Sequence, residues 1–303
     1  MGCAMRYFRG YWVVKMGLVF ILVAAVAGCG VGAKRERIVG PYHFSTELTP
    51  GVRLFAVLPK GTELAPTYFG MCTYLIEGDG GRYVLVDSGD AGQTETLVGM
   101  LAEAGVRPGD IEMVACTHSH SDHVGGCAFF QNEGAKIAIH EVAGDVVDSS
   151  PPFRNPDVVD SASAGWKFKA FEPDVRFSDG DILRAAGIEL RVLHTPGHTP
   201  DSSSFVLERA GRKVLFVGDI NGWYIIEWGS NQEQMLASVR RVRQVGAETV
   251  CFGHRVVDGE LEDFWERLER SVGDGIFQLV DQHDSDDHVE RSGERVLETV
   301  LNR

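Results

Sequence analysis

Six consecutive residues restrict this chain more than any other feature: His118-Ser119-His120-Ser121-Asp122-His123. They come after the apolar run Val114-Ala115-Cys116 and lead into Val124-Gly125-Gly126. A short apolar run before a turn signal reads as a buried strand, and the residues past the turn read as a helix start. The motif therefore sits on a strand-to-helix loop. In extended backbone alternate side chains share a face, so His118 and His120 point the same way. Asp122 and His123 lie past the bend and can face a second ion. Buried polar groups need partners, and four of them on one turn need a common one. A metal ion is such a partner; a solvated histidine-rich loop is the plain alternative. Gly125-Gly126 permits a close backbone approach.

Three later segments extend the pattern. Thr195-Pro196-Gly197-His198-Thr199 contains a Pro-Gly turn that can present His198. Val217-Gly218-Asp219 ends an apolar run in a carboxylate, and Phe252-Gly253-His254 ends another in an imidazole. Taken singly, such strand-end residues are usually structural. In this order after HxHxDH, over roughly residues 52–255, the set resembles the metallo-β-lactamase superfamily. The resemblance implies an α/β fold, the four-layer αβ/βα sandwich. It assigns His118, His120 and His198 to one metal ion and Asp122, His123 and His254 to another, with Asp219 bridging. Asp122 also acts in catalysis by orienting the nucleophile. Asp87, ending Val84-Leu85-Val86, matches an early Asp that hydrogen-bonds the backbone or a ligand of the motif loop. Five nitrogen and two carboxylate ligands suit two divalent ions, Zn²⁺ first, with Fe or Mn chemically tolerable.

The same resemblance implies a hydrolase in which a hydroxide shared by two ions attacks a polarised carbonyl. Asp rather than Cys or Ser at 219 is similar to glyoxalase II and the lactonases. His198-Thr199-Pro200 points first to a lactone or other carboxylic ester. Position 222 is Gly where the lactonases carry a substrate-binding Tyr, leaving Trp223 or Tyr224 to substitute. The aromatic stretch 221–228 reads equally as an apolar acyl pocket or as ordinary packing. A glyoxalase II-type thioesterase is the nearest alternative, and the acidic stretch 259–290 counts against its usual basic patch. A β-lactamase, a non-haem iron oxidoreductase on the same scaffold and a non-catalytic binding lipoprotein are further alternatives. Gly-x-Ser-x-Gly is absent.

Elsewhere, short apolar runs predict strands over 52–58, 71–77, 83–87, 113–117, 136–140, 188–195, 203–208, 213–218 and 249–252. Helical periodicity predicts helices over 93–104, 232–245 and 260–272. Residues 148–176, rich in Pro, Ser and Asp, read as an insertion or lid. His194 reads as structural or as support for the ligand turn, and His140 as structural. His43 belongs to the expected tether, and His283 and His288 to a solvated loop or a weak metal site.

The N-terminus is read as an address. Arg6, Arg9 and Lys15 precede an apolar run over 16–27, and Val26-Ala27-Gly28-Cys29 resembles a bacterial lipobox. Residues 1–28 are then a signal peptide, Cys29 the lipidated residue, 29–45 a tether and 46–303 the hydrolase domain. An uncleaved anchor helix is the alternative. Either reading predicts a membrane-tethered protein outside the cytoplasm, acting on a small molecule. The net charge of −14 disfavours nucleic acid as a partner. Cys72, Cys116, Cys127 and Cys251 read as buried thiols, with one disulfide possible in an oxidising compartment.

Overall fold

The structure is a computed structural model that describes residues 15–16, 19–20, 43–57, 71–143, 169, 171–220, 229–254, 256–258 and 261–273. Cys29, Trp223, Tyr224, His283, His288 and most of the expected insertion at 148–176 lie outside the described residues. Among the described residues no helix is long and apolar enough to cross a membrane.

Period-two alternation builds two sheets. A separate two-residue ladder pairs β1 (Lys15–Met16) with β2 (Val19–Phe20). The first main sheet runs, in spatial order, β3 (His43–Thr49), β4 (Val52–Val57), β5 (Met71–Glu77), β6 (Tyr83–Val86), β7 (Ile111–Ala115), β8 (Lys136–His140) and β9 (Val175–Phe177). It is antiparallel up to β6 and parallel from there on. The second runs β10 (Ile182–Ala185), β11 (Ile188–His194), β12 (Ser203–Arg209), β13 (Arg212–Gly218), β14 (Thr249–Phe252) and β15 (Val256–Asp258). Here only β13 and β14 are parallel.

Alternate side chains of each strand divide between two cores. Tyr74, Ile76, Val84 and Val86 of the first sheet meet Leu190, Phe205, Phe216 and Cys251 of the second in the layer between the sheets. Leu75, Leu85, Val114 and Ile139 face outward. They pack against Leu97, Met100 and Leu101 of α1 (Thr94–Glu103) and, beyond the short α2 (Ser121–Val124), Phe130 of α3 (Cys127–Asn132). On the far side Val206, Leu215 and Val250 meet Met235, Val239 and Val242 of α4 (Gln232–Arg243) and Trp265 and Leu268 of α5 (Leu261–Gly273). The order helix, sheet, sheet, helix is the expected four-layer sandwich.

Strands 71–77, 136–140 and 249–252 fall on the expected residues. The described sheet begins at His43, inside the stretch read as tether, so His43 is a strand residue paired to Val57. The end of the expected insertion is also sheet: Phe171 is buried in the outer core and Val175 pairs with Ala138. Three- and four-residue strands such as β9, β10 and β15 are too short to show period two in sequence. All four described cysteines are buried, and none of them pairs with another in a disulfide.

Parallel strands end at one edge, and the loops after β6, β7, β13 and β14 all leave from their C-terminal ends. That edge is where open α/β sheets gather ligand-binding groups. Phe216, fully buried between the sheets, anchors the layer beneath it. Phe216→Ala should cost about 3–5 kcal/mol in urea unfolding, the usual range for a large aromatic deleted from a core; a loss under about 1 kcal/mol would mean that the inter-sheet layer is loosely packed.

Candidate metal centre

The seven residues, distant in sequence, come together at this edge. Three ring nitrogens converge first: His118 Nε2 lies 3.1 Å from His120 Nδ1, and His198 Nε2 lies 3.0 Å from the same atom. A second trio consists of Asp122, His123 and His254. There His123 Nε2 stands 3.9 Å from Asp122 Oδ1, and His254 Nε2 stands 3.7 Å from Asp122 Oδ2. Asp219 stands between the trios. Its Oδ1 is 3.6 Å from His123 Nε2, while Oδ2 is 3.7 Å from His198 Nε2 and 3.2 Å from His254 Nε2.

These spacings fit a metal test. Two donors each about 2.1 Å from a tetrahedral ion lie about 3.4 Å apart. The observed separations bracket that value. His123 Nε2 is buried and has no hydrogen-bond partner, although two carboxylates face it. A buried nitrogen of that kind needs a cation or proton between it and those oxygens. The donor set, imidazole and carboxylate without thiolate, suits Zn²⁺, Fe or Mn.

Asp87 fixes the motif loop. Its backbone takes a left-handed φ of 60° just past β6, a conformation that Asp tolerates better than most residues. The turned carboxylate accepts the Thr117 amide at 2.7 Å, the Thr117 hydroxyl at 2.8 Å and His123 Nδ1–H at 2.8 Å. Because Thr117 Oγ1 donates to Asp87, it can accept from His118 Nδ1, 3.1 Å away. Both imidazoles thereby hold their Nδ1 protons and turn Nε2 toward the cluster. Asp87 thus meets both the backbone and a side chain of the motif loop.

Close backbone approach completes the site. A Cβ on Gly253 would lie 2.2 Å from Asp219 Oδ1 and 2.4 Å from His123 Cε1. Gly197, at φ 143°, lies against the backbone of Met235, and its carbonyl accepts the Asn231 amide at 2.8 Å. The Thr195 amide donates to Ser202 O at 2.8 Å, closing the turn that presents His198. Ser230 Oγ donates to the His198 carbonyl at 2.6 Å.

The electrostatics arise from burial and like-with-unlike pairing. Burial, reinforced by the neighbouring imidazoles, holds His118 and His120 well below the usual histidine range. Burial opposes charge on His123 and His254 too, but Asp219 and Asp122 outweigh it and hold both above that range. For Asp219 burial favours the neutral acid, yet His254 and His123 dominate and keep it well below the usual carboxylate range. Without metal, the carboxylates therefore recruit protons onto the imidazoles of the second trio.

Some sequence readings are redistributed. His140 and His194 stack face to face with ring centroids 4.2 Å apart. His194 Nε2 donates to Pro200 O at 2.8 Å, and His140 Nδ1 accepts the Val142 amide at 3.2 Å. Burial, with His194 beside it, pushes His140 down to about 4. Both serve structural contacts. Sequence reasoning missed Thr117, Ser88 and Asp201. Ser88 Oγ donates to His123 O at 3.0 Å and accepts the Gly126 amide at 3.1 Å. Burial holds the Asp201 carboxyl above its ordinary range, against hydrogen bonds from Thr199 and Ser119. The adjacency Asp87-Ser88 and the run Thr199-Pro200-Asp201-Ser202 were visible signals.

An α/β sandwich with a ligand cluster on its loop edge defines the class. The metallo-beta-lactamase superfamily profile matches residues 72–254, and the chain belongs to that superfamily of metal-dependent hydrolases. It is 34% identical over 130 residues to a hydroxyacylglutathione hydrolase of Rhodopseudomonas palustris strain HaA2, covering 43% of this chain and 40% of that protein. It is 29% identical over 119 residues to the human acyl-coenzyme A thioesterase MBLAC2, covering 36% of this chain and 40% of that protein. The matches thus span about two fifths of the length of each relative. A metallo-beta-lactamase family protein of Thermus thermophilus superimposes with a TM-score of 0.59 at 25% identity, over 76% of this chain and 82% of the other.

The charge pattern sets a pH profile. Stripped of metal, the cluster stabilises the fold most near pH 6.5, the ordinary histidine value. Below it His118 and His120, with depressed folded values, lose stability, because the unfolded chain takes protons that they refuse. Above it His123 and His254, with raised folded values, give up their stabilising protons. Melting of chelator-treated protein from about pH 5 to about pH 9 should show a mid-range maximum, and Zn²⁺ should remove the alkaline decline. A monotonic profile would contradict this charge assignment.

Proposed function

We propose that the chain is a dinuclear metal-dependent hydrolase of acyl thioesters. The observation that carries the reading is the position of Asp219, whose two oxygens address both trios at 3.2–3.7 Å. One ion would be held by His118, His120 and His198, the other by Asp122, His123 and His254, with Asp219 shared. When bound, such ions acidify a water and polarise a carbonyl oxygen. The chain's own groups do the rest. Asp122, part-exposed at the mouth of the cluster, orients the attacking water. Asp87 keeps His118 and His123 in the tautomers that turn Nε2 toward the cluster. The buried floor under the cluster excludes bulk water and strengthens each interaction.

Sulfur as the leaving atom is supported by the relatives, which carry thioesterase and hydroxyacylglutathione hydrolase names. The sequence's first expectation, a lactone or oxygen ester, rests on the His198-Thr199-Pro200 turn. It requires the same attack and differs in the leaving group. The acidity that counted against a thioesterase is partly neutralised internally, since Glu262, Glu266 and Glu269 of α5 pair with Arg240 and Arg243 of α4.

Purified protein loaded with Zn²⁺ or Mn²⁺ should cleave an acyl-thioester panel and lose activity to a chelator. Asp219→Ala should lose more than about 100-fold in turnover together with metal occupancy, beyond the 10–100-fold typical of outer residues. Two bound ions with no turnover of thioester, lactone, cephalosporin or phosphodiester would defeat the hydrolase reading; lactone turnover alone would restore the oxygen-ester reading. The lipobox reading places this activity on a lipid-anchored protein outside the cytoplasm. Palmitate labelling should then disappear in Cys29→Ala, and labelling that persists would reject it.

A further inference from the structure

The first trio is assembled from both sheets. His118 and His120 flank Ser119 in the loop after β7, and His198 precedes Thr199 in the loop after β11. Asp201 stands where these loops meet, and only 2% of it is exposed. The groups facing its carboxylate are the Thr199 hydroxyl and its own amide from one loop and the Ser119 hydroxyl and amide from the other. Its Oδ2 is buried without a hydrogen-bond partner. A buried carboxylate with acceptor capacity unused costs stability, and neither the sheet ladders nor the seven-residue cluster uses it. The backbone beside it makes the same junction: the Ser203 amide donates to Thr117 O at 2.8 Å.

Building on the dinuclear reading above, we infer that Asp201 is a positioning residue for the first metal trio alone. Its carboxylate ties the His118–His120 loop to the His198 loop and sets the 3.0 Å spacing of His198 Nε2 and His120 Nδ1. Asp87 has a different reach. It contacts His123 directly and His118 through Thr117, so it serves both trios. Asp201 faces hydroxyls and an amide that neighbour only first-trio ligands. The two ions would then respond differently to loss of one buried carboxylate that ligates neither.

The test is a Zn²⁺ titration of the metal-free full chain against a competing chelator, which reads affinity at each site without any substrate. Wild type should take up two ions. Asp201→Ala should weaken one site by about 10–100-fold, the usual effect of removing an outer partner, and leave the other unchanged. The weakened site should be the one that His198→Ala abolishes. Asp201→Asn, which keeps an acceptor oxygen for Ser119 and Thr199, should stay close to wild type. Two sites of wild-type affinity in Asp201→Ala would overturn the inference, as would equal weakening of both sites in step with a fall in melting temperature. Should Asp201→Ala fail to fold, Ser119→Ala removes the tie from the other loop and is held to the same outcomes. Wild type that binds no metal would instead overturn the dinuclear reading itself.

Discussion

Seven polar side chains crowded at one sheet edge set the terms for the rest of the structure. Two unit charges about 4 Å apart interact by about 4 kcal/mol at an effective dielectric near 20, and a whole domain is stable by only about 5–15 kcal/mol. A cluster of two carboxylates and five imidazoles therefore cannot be assembled by weak loops. Each ligand segment leaves the end of a largely buried strand, β7, β11, β13 or β14. Asp87 adds a second restraint, binding the motif loop through Thr117 and His123 at once. The scaffold brings the donors together at spacings that suit a cation, and Asp219 and Asp122 hold His123 and His254 above the usual histidine range.

This explains the division of labour along the chain. The candidate metal ligands sit at or just past strand ends, where sheet hydrogen bonds fix the backbone and Gly253 allows Asp219 and His123 to close on each other. The sequence reading assigned substrate choice to the segments 148–176 and 221–228, most of which lie outside the described residues. Surface loops in general vary more than the strands that carry them. One site architecture can in that way serve several acyl substrates.

The fold was legible in sequence wherever a strand was long enough to alternate. Residues 71–77 and 136–140 could be read directly, whereas Val175–Phe177 and Ile182–Ala185 could not. The seven-residue cluster was legible as a candidate metal centre because metal chemistry demands unusual residue types at fixed spacing. Its support was not. Asp201 meets Ser119 across 82 positions of sequence, and Ser88 reaches His123 across 35. Contacts between loops leave no periodic trace, so a carboxylate two residues past a recognised turn reads as an ordinary loop Asp. Asp87 was expected from the family resemblance, and its carboxylate accepts from Thr117 and His123.

The leaving group is where the site's chemistry discriminates between substrates. An alkoxide is strongly basic and departs readily only with a proton or a cation at hand. A thiolate, with a thiol pKa of about 8.5, departs near neutral pH unaided. Asp219 is held well below the usual carboxylate range, so it stays ionised and cannot donate that proton. His118 and His120 are held neutral, with His118 Nδ1 committed to Thr117. In the proposed dinuclear centre those groups hold cations rather than protons, so a departing oxygen anion would depend on a cation for its charge, whereas a thiolate would not. On the proposed reading a thioester is therefore the less demanding substrate, and an oxygen ester is cleaved when its departing oxygen reaches a held cation.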